Sequence, residues 1–515
     1  MSRERGDLLI PSDTRASQAL ASDPARSIWV EANAGSGKTF VLTQRVLRLL
    51  LAGVEPQSIL CLTYTKAAAA EMRKRVSDRL AQWAVADTAA LRAALAELTG
   101  APPGEAMLQT ARTLFARALE TPGGLRILTI HAFCEAVLHR FPIEAGVPFD
   151  FSVIEDDQRA GMVLAAREAV IAEGLRGGAN GASVETLFGL MSDHAIAEAI
   201  DAALAEGARL RPVLADVPAA GARLRRLVGA SGEAAALEAR FAAGTLLTPQ
   251  VLRDLLARCG GDPQGNRRCL DLLARLDPDR PDPAALRSAF FTGTGPRASL
   301  MTRTEQAAHP DIFAILEAEQ RRLVALEAEL TAARLVERSE ALLEVVAAIV
   351  RRYEDDKRRH SLLDFDDLIE RLGDLLADRG LGPWVQYKLD AGIDHILVDE
   401  SQDTNERQWR VVRAMAEEFF VGDGAVRRPR SLFAVGDQKQ SIYSFQGAPP
   451  ILFGQTGRDF ARRAGDAALD FRRLPLHTSF RTLPGILEAV DRVCDRPDIQ
   501  AALLSEDKVG HAPAR

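Results

Sequence analysis

An α/β fold with a parallel sheet, interrupted by a large helical insertion, is what this sequence predicts, and three observations carry the prediction. The apolar run Ile28–Val30 passes through a small-residue loop into a helix opened by Lys38 and Thr39. Further apolar runs at Ile59–Leu62, Arg126–Ile130, His395–Val398 and Ser431–Val435 each end in a polar or aromatic loop. Between Arg126–Ile130 and His395–Val398, from about Asp156 to Arg352, alanine, leucine, glutamate and arginine dominate and strand-like runs disappear. Strands alternating with helical stretches are the pattern of a parallel sheet.

Residues 1–26 are polar and turn-like. Among them Gln18 has an amide able both to donate to and to accept from one adenine edge, although alone it reads as a surface residue. The loop itself is Ala32, Asn33, Ala34, Gly35, Ser36, Gly37, Lys38 and Thr39, a phosphate-binding loop in its strand–loop–helix setting. Gly35 and Gly37 tolerate the conformations that turn successive N–H groups into one concavity. The helix N-terminus adds partial positive charge, Lys38 can reach the outer phosphates, and the Thr39 hydroxyl can hold Mg²⁺. Ala32 stands where a glycine is common, and its small side chain fits the same space.

The second strand runs into Thr63-Tyr-Thr-Lys66, a hydroxyl-rich turn where open α/β sheets bind ligands. Thr63, Thr65 and Lys66 can contact nucleic-acid phosphates, and Tyr64 can stack or pack. Residues 84–123 read as helical, broken at Gly100-Ala-Pro-Pro-Gly and Pro122-Gly-Gly. The third strand ends in His131-Ala-Phe-Cys134. In the insertion, Ile196, Ile200 and Leu204 recur at helical spacing, as do Leu316, Leu323, Leu326 and Leu330. Residues 259–310 are rich in Gly, Pro and Arg and are expected to include long exposed loops.

Leu363-Asp-Phe-Asp-Asp-Leu368 reads as a helix cap with a solvated face. The strand His395–Val398 delivers Asp399 and Glu400, the second half of an NTPase site. Asp399 is placed to hold Mg²⁺, and Glu400 to orient and deprotonate an attacking water. After Ser431–Val435, Gln440 is placed to sense a γ-phosphate, while Tyr443 and Phe445 offer faces to bases. One segment touching both ligands suits coupling between nucleotide and nucleic acid.

Composition sets bounds. With 515 residues the chain has room for roughly three to four domains. A net charge of −7 argues against a uniformly basic nucleic-acid binder and leaves a local basic groove open. Five scattered cysteines lack paired metal spacing and fit a reduced, cytoplasmic setting. His131, Cys134 and His139 read as packing rather than as ligands. No apolar run approaches about 18 residues, so no membrane partner is expected.

Taken in order, Gln18, the Ala32–Thr39 loop, Thr63-Tyr-Thr-Lys-Ala-Ala, Thr129-Ile-His-Ala-Phe, Asp364-Phe-Asp-Asp-Leu, Asp399-Glu-Ser-Gln-Asp-Thr, Gly436–Ala448 and Ser479-Phe-Arg resemble the motifs of the UvrD/Rep group of superfamily-one DNA helicases. Leu363-Asp-Phe-Asp-Asp-Leu and Lys439-Gln-Ser-Ile-Tyr are most similar to AddA, the helicase–nuclease component of bacterial AddAB recombination-repair enzymes. The resemblance implies RecA-like domains with ATP in the cleft between them, helical insertions, and ATP-driven 3′ to 5′ movement on single-stranded DNA with duplex unwinding. It implies ATP and Mg²⁺ as cofactors. As partners it implies single-stranded and duplex DNA and an AddB-like protein, and as location the cytoplasm, in association with the nucleoid.

Carried over by motif, Gln18 reads adenine, and Lys38, Thr39, Asp399, Glu400 and Gln440 form the ATPase centre. Arg481 is expected to reach the γ-phosphate from a second domain, and Thr63, Tyr64, Thr65, His131, Tyr443 and Phe445 to line the DNA track. Gln446 departs from the arginine common in UvrD relatives, so no charge-dependent role is carried to it. The expected division is 1–155 and 353–473 for the first RecA-like domain, 156–352 for the insertion, and 474–515 for the opening of a second domain. On this reading the chain is an N-terminal fragment, deficient in hydrolysis alone, without the nuclease domain of its relatives. The alternative is a nucleotide-dependent DNA- or partner-binding module that does not unwind.

Overall fold

A computed structural model describes residues 12–259, 268–273, 275–277, 282–390, 392–420, 429–442, 444, 447–499 and 512–513. The chain divides into two compact units, residues 1–155 with 361–515, and residues 156–360.

The first unit is built on a six-stranded sheet whose neighbouring strands all run parallel. Its strands are β1 (Ser27–Ala32), β2 (Ile59–Thr63), β3 (Arg126–Thr129), β4 (His395–Val398), β5 (Ser431–Gly436) and β6 (Phe471–Leu476), in spatial order β6-β1-β5-β4-β2-β3. Side chains alternate between faces, and both faces are covered, which is why these strands read as continuous apolar runs. Ile28, Val30, Cys61, Leu397 and Val435 pack with helices Lys38–Leu51 and Lys66–Val85 on one side. Trp29, Leu60, Leu62, Val398 and Ala434 pack with helices Ile130–Arg140, Phe365–Ala377 and Glu406–Ala416 on the other. Trp29 lies at the centre of an aromatic group with Trp409, Phe453 and Phe460, at ring separations of 5.5, 4.8 and 6.3 Å.

Helix Lys38–Leu51 is anchored by a buried cation. Arg45 is fully buried and donates to the carbonyls of Asp23 and Arg26 and to Ser431 Oγ, the last at 3.0 Å. Burial pushes its pKa down to about 9, which still leaves it charged at neutral pH. The guanidinium lies 5.0 Å from the Phe433 ring centroid. It therefore ties the helix behind the phosphate loop to the amino-terminal ends of β1 and β5.

Two sequence expectations change here. Leu474 was expected to open a second domain. Instead Phe471–Leu476 is an edge strand of the same sheet, paired with β1 in the register Val30↔Leu474 and Ala32↔Leu476. The acidic cap at Asp364 forms a capping box with Asp367, but both carboxylates are buried rather than on a solvated face.

The second unit is organised on one 50-residue helix, Pro310–Arg359. It spans about 75 Å at 1.5 Å per residue. The expected end of the insertion at Arg352 thus falls inside this helix, whose last turns carry ion pairs such as Lys357–Glu354 at 3.0 Å. Leu316, Leu323, Leu326 and Leu330 form a core with Phe241, Leu252 and Phe290. Within it Glu319 is fully buried, accepting from Arg322 at 2.6 Å, Thr245 Oγ1 at 2.8 Å and Leu246 N–H at 3.0 Å. The described part of 259–310, expected to include long loops, also holds helices Arg268–Leu273, Pro283–Phe290 and Arg303–Ala308. Asp282 and Thr302 cap two of them, a local signal hidden by the surrounding composition. This unit also contains a two-residue hairpin pairing of Phe291–Thr292 with Gly295–Pro296.

Candidate nucleotide site

A parallel sheet gathers every strand's carboxyl end on one edge. Adjacent β1, β5 and β4 therefore deliver the loop Asn33–Gly37, the turn after Gly436 and the acids Asp399 and Glu400 to one place.

In the loop, Gly35 and Gly37 take φ of 73° and 91°, in the left-handed region. Gly37 is the N-cap of helix Lys38–Leu51, and no side chain caps it. The first N–H groups of the helix are thus left for an anion. Ser36 Oγ is buried and has no hydrogen-bond partner among the described residues. This orphaned hydroxyl and the uncapped helix fit a bound phosphate chain. Gln18 is buried against the loop, its Nε2 3.5 Å from the Ser36 carbonyl.

Glu400 takes φ of 46°, uncommon for a residue with a side chain, and its N–H donates to Asp399 Oδ1 at 3.0 Å. Lys38 Nζ donates to Glu400 Oε2 at 2.8 Å. Gln402 Nε2 donates to the same oxygen at 2.9 Å and to Asp403 Oδ2 at 3.1 Å. Burial, and then the Glu400 charge, pushes Asp399 up to about 6; the same two causes push Asp403 up to about 6. Three clustered carboxylates against Lys38 leave negative charge to be neutralised. With the Thr39 hydroxyl in the first turn of the loop's helix, the donor set fits a Mg²⁺. Among the described residues no cluster of three or more His, Cys, Asp or Glu is arranged to hold a metal by itself.

After β5, the Asp437 N–H donates to Gln402 Oε1 at 2.9 Å. The Asp437 carboxylate accepts from the Lys439 N–H at 3.1 Å and from Gln440 Nε2 at 2.9 Å. Lys439 Nζ reaches back to Asn33 Oδ1 in the phosphate loop, at 2.9 Å. One hydrogen-bonded path therefore runs Lys38–Glu400–Gln402–Asp437–Gln440, with Lys439 closing it onto the loop. Gln402, Asp437 and Lys439 had no assigned role in the sequence reading. Their signal was present in Asp399-Glu-Ser-Gln-Asp and Gly436-Asp-Gln-Lys-Gln, but only the fold shows the two segments bonded to each other.

The segment after β6 crosses the loop. The Asn33 N–H donates to the Leu476 carbonyl at 3.0 Å, and the Phe480 N–H to the Gly35 carbonyl at 2.9 Å. A Cβ on Gly35 would lie 2.7 Å from Arg481 Cβ, so glycine is required there by space as well as by φ. Arg481, expected from a second domain, lies in the same compact unit as the loop because β6 brings it there.

Of the candidate nucleic-acid residues, Thr63, Tyr64, Thr65, Lys66 and His131 follow β2 and β3, on the far half of that edge. Thr63 and Thr129 are register partners on β2 and β3. The Thr63 hydroxyl donates to the Thr65 carbonyl at 3.1 Å, and Thr65 Oγ1 caps the next helix at Ala68 N–H, 3.1 Å. Tyr64 is half-buried and Lys66 exposed. His131 stands edge-on to Phe365 at 5.3 Å, and burial lowers its pKa. Tyr443, Phe445 and Gln446 lie outside the described residues. Cys134 is buried and His139 stacks on Phe151, in keeping with packing.

A parallel α/β sheet with this loop and these acids at one edge defines an α/β P-loop NTPase domain of RecA type. The chain belongs to the UvrD/REP helicase N-terminal domain family, which matches residues 12–461. It is similar to AddA, the ATP-dependent helicase/nuclease subunit of Desulforudis audaxviator, at 30% identity over 92% of this chain and 39% of that protein. The protein of the same name from Moorella thermoacetica is 28% identical over 92% of this chain and 34% of its own length. That of Geobacillus thermodenitrificans is 27% identical over 90% and 38%. The chain thus spans well under half the length of these curated relatives. Among the described residues no helix is long and apolar enough to cross a membrane.

Proposed function

We propose that this chain binds ATP with Mg²⁺ and serves an AddA-like, ATP-dependent 3′–5′ DNA helicase or translocase of double-strand-break repair and recombination. The observation that carries the reading is the bonded path from Lys38 through Glu400 and Gln402 to Asp437 and Gln440. In it the loop's cation, the general base and the γ-phosphate sensor are mechanically linked.

Lys38 and the N–H groups of Ala34 to Lys38 take the phosphates, and Gln18 takes the adenine edge. Thr39 and Asp399 would hold Mg²⁺, which would supply charge neutralisation to the phosphates. Glu400, released from Lys38, orients and deprotonates water. Gln440 senses the γ-phosphate, and Arg481 supplies a further cation to it. Thr63, Tyr64, Thr65, Lys66, His131, Tyr443 and Phe445 form the single-stranded DNA track. An AddB-like protein is the expected partner, and the cytoplasm, with the nucleoid, the expected location.

ATP turnover measured with and without single-stranded DNA tests the reading. A Lys38-dependent turnover that rises with DNA supports a motor. Turnover indifferent to DNA contradicts it. ATP and DNA binding without unwinding of a 3′-tailed duplex favours a binding module.

A further inference from the structure

The sheet edge holds a second lysine that the roles above leave unused. We propose that Lys439 is a second phosphate-binding lysine, one that contacts the terminal phosphate of a nucleoside triphosphate; this rests on the reading of the loop as an ATP site.

Lys439 is the middle residue of the one-turn helix Gln438–Gln440. Its backbone is fixed by the bond from its N–H to Asp437 Oδ1, and the same carboxylate fixes the neighbouring Gln440 amide. From this rigid base its half-buried side chain crosses to the phosphate loop, where Nζ meets Asn33 Oδ1 at 2.9 Å. The partner is informative. Lys38 is held by a carboxylate, whereas Lys439 is held by a neutral amide. An ammonium has three donors and a full charge, and one amide oxygen compensates neither fully. A cation directed at a loop built for anions is therefore poised to take one.

The position selects which phosphate. The loop N–H groups and the helix N-terminus serve the inner part of the phosphate chain, and Lys38 reaches the outer phosphates from the helix end of the loop. Asn33 is at the opposite, strand end. Lys439 also adjoins Gln440, and through Asp437 and Gln402 it is tied to Glu400. The phosphoryl group to be attacked must lie beside the base that activates the water. Lys439 thus stands on the terminal-phosphate side, and a triphosphate draws its ammonium from Asn33 where a diphosphate does not.

The bland account is that Lys439 only ties the turn to the loop. The two accounts separate on a ratio. Affinities of a non-hydrolysable ATP analogue and of ADP, both with Mg²⁺, are measured on the wild-type chain and on Lys439→Ala, Lys439→Arg and Lys38→Ala, alongside thermal unfolding without nucleotide. The proposal predicts that Lys439→Ala weakens the analogue about tenfold or more while ADP stays within about twofold, as loss of one charge-assisted hydrogen bond requires. Lys439→Arg restores most of the difference. If Lys439→Ala weakens both ligands equally, or neither, the proposal is overturned while the ATP-site reading stands. If the wild-type chain binds neither ligand, both fall. A lowered unfolding temperature with an unchanged ratio counts for the tie and against the proposal.

Discussion

Lys38 and Glu400 are held together across the site, Nζ to Oε2 at 2.8 Å, with Lys38 mostly buried and Glu400 more open. A phosphate chain that recruits Lys38 must therefore take it from Glu400. On the proposed function, nucleotide capture and release of Glu400 as general base become one event.

This relationship makes Glu400→Gln informative. Removing the competing carboxylate leaves Lys38 free for phosphate, so the variant binds a non-hydrolysable ATP analogue at least as tightly as wild type. Its turnover falls by about 10²-fold or more, as loss of a general base implies. Equilibrium binding and steady-state hydrolysis check the two halves. Weaker binding of the analogue would show that the pair supports the nucleotide site rather than competing with it.

Gly436 lets Gln402 reach Asp437. A Cβ there would lie 2.7 Å from Gln402 Oε1 and 2.9 Å from Phe453 Cε2. Gly436→Ala therefore displaces the amide that orients Glu400 and costs about 1–3 kcal/mol of stability from overpacking. ATP affinity changes less than turnover. A variant with native unfolding temperature and native turnover would remove Gln402 from its positioning role.

Gly457 is the corresponding close approach in the core. An added Cβ would come within 2.8 Å of Trp29 Cε2 and Nε1, an aromatic edge enclosed by Trp409, Phe453 and Phe460. Alanine favours a helix over glycine by about 1 kcal/mol, yet Gly457→Ala is predicted to be net destabilising because the tryptophan cannot move freely. Urea unfolding reads the sign directly.

The opposite, amino-terminal edge of the sheet carries a pH dependence. His395 is buried, with Nδ1 2.8 Å from Ser431 Oγ, which in turn accepts from Arg45. The arginine can only donate, so Ser431 Oγ accepts from it, and the His395 ring shares this hydroxyl with the cation. Burial first, and the Arg45 charge second, lowers its pKa to about 4. The unfolded chain takes up this proton near pH 6.5, and the folded chain only near 4. Stability is therefore lost as pH falls through that window, on the order of 3 kcal/mol from this group when complete. His395→Asn should show a shallower fall between pH 6.5 and 4 than wild type. Parallel curves would contradict a buried neutral imidazole.

Much of this was legible in the sequence because its signals are local. A glycine-rich loop between an apolar run and a helix, and two acids after another apolar run, specify their geometry within a few residues. Asp399 and Glu400 could be placed at the end of a strand without knowing where β4 lies. What the sequence did not reveal depends on which strands become neighbours. Gln402 contacts Asp437 only because β4 and β5 are adjacent, and Lys439 meets Asn33 only because β5 lies beside β1. The domain boundary expected at Leu474 falls inside β6 for the same reason: an edge strand containing Pro475 has a weak local pattern, and its partner is distant in sequence. The Thr63 and Thr65 hydroxyls, read as ligand contacts, also make local turn and cap bonds that the sequence did not announce.

The central claim is that Ile28–Thr39 forms an ATP-holding loop working with Glu400. Titration of the chain with a fluorescent, non-hydrolysable ATP analogue, with and without Mg²⁺, measures it most directly. The account predicts saturable, Mg²⁺-strengthened binding that Lys38→Ala weakens about a hundredfold, in line with loss of a buried charge-assisted phosphate contact. Binding of equal strength in the wild type and Lys38→Ala would contradict it.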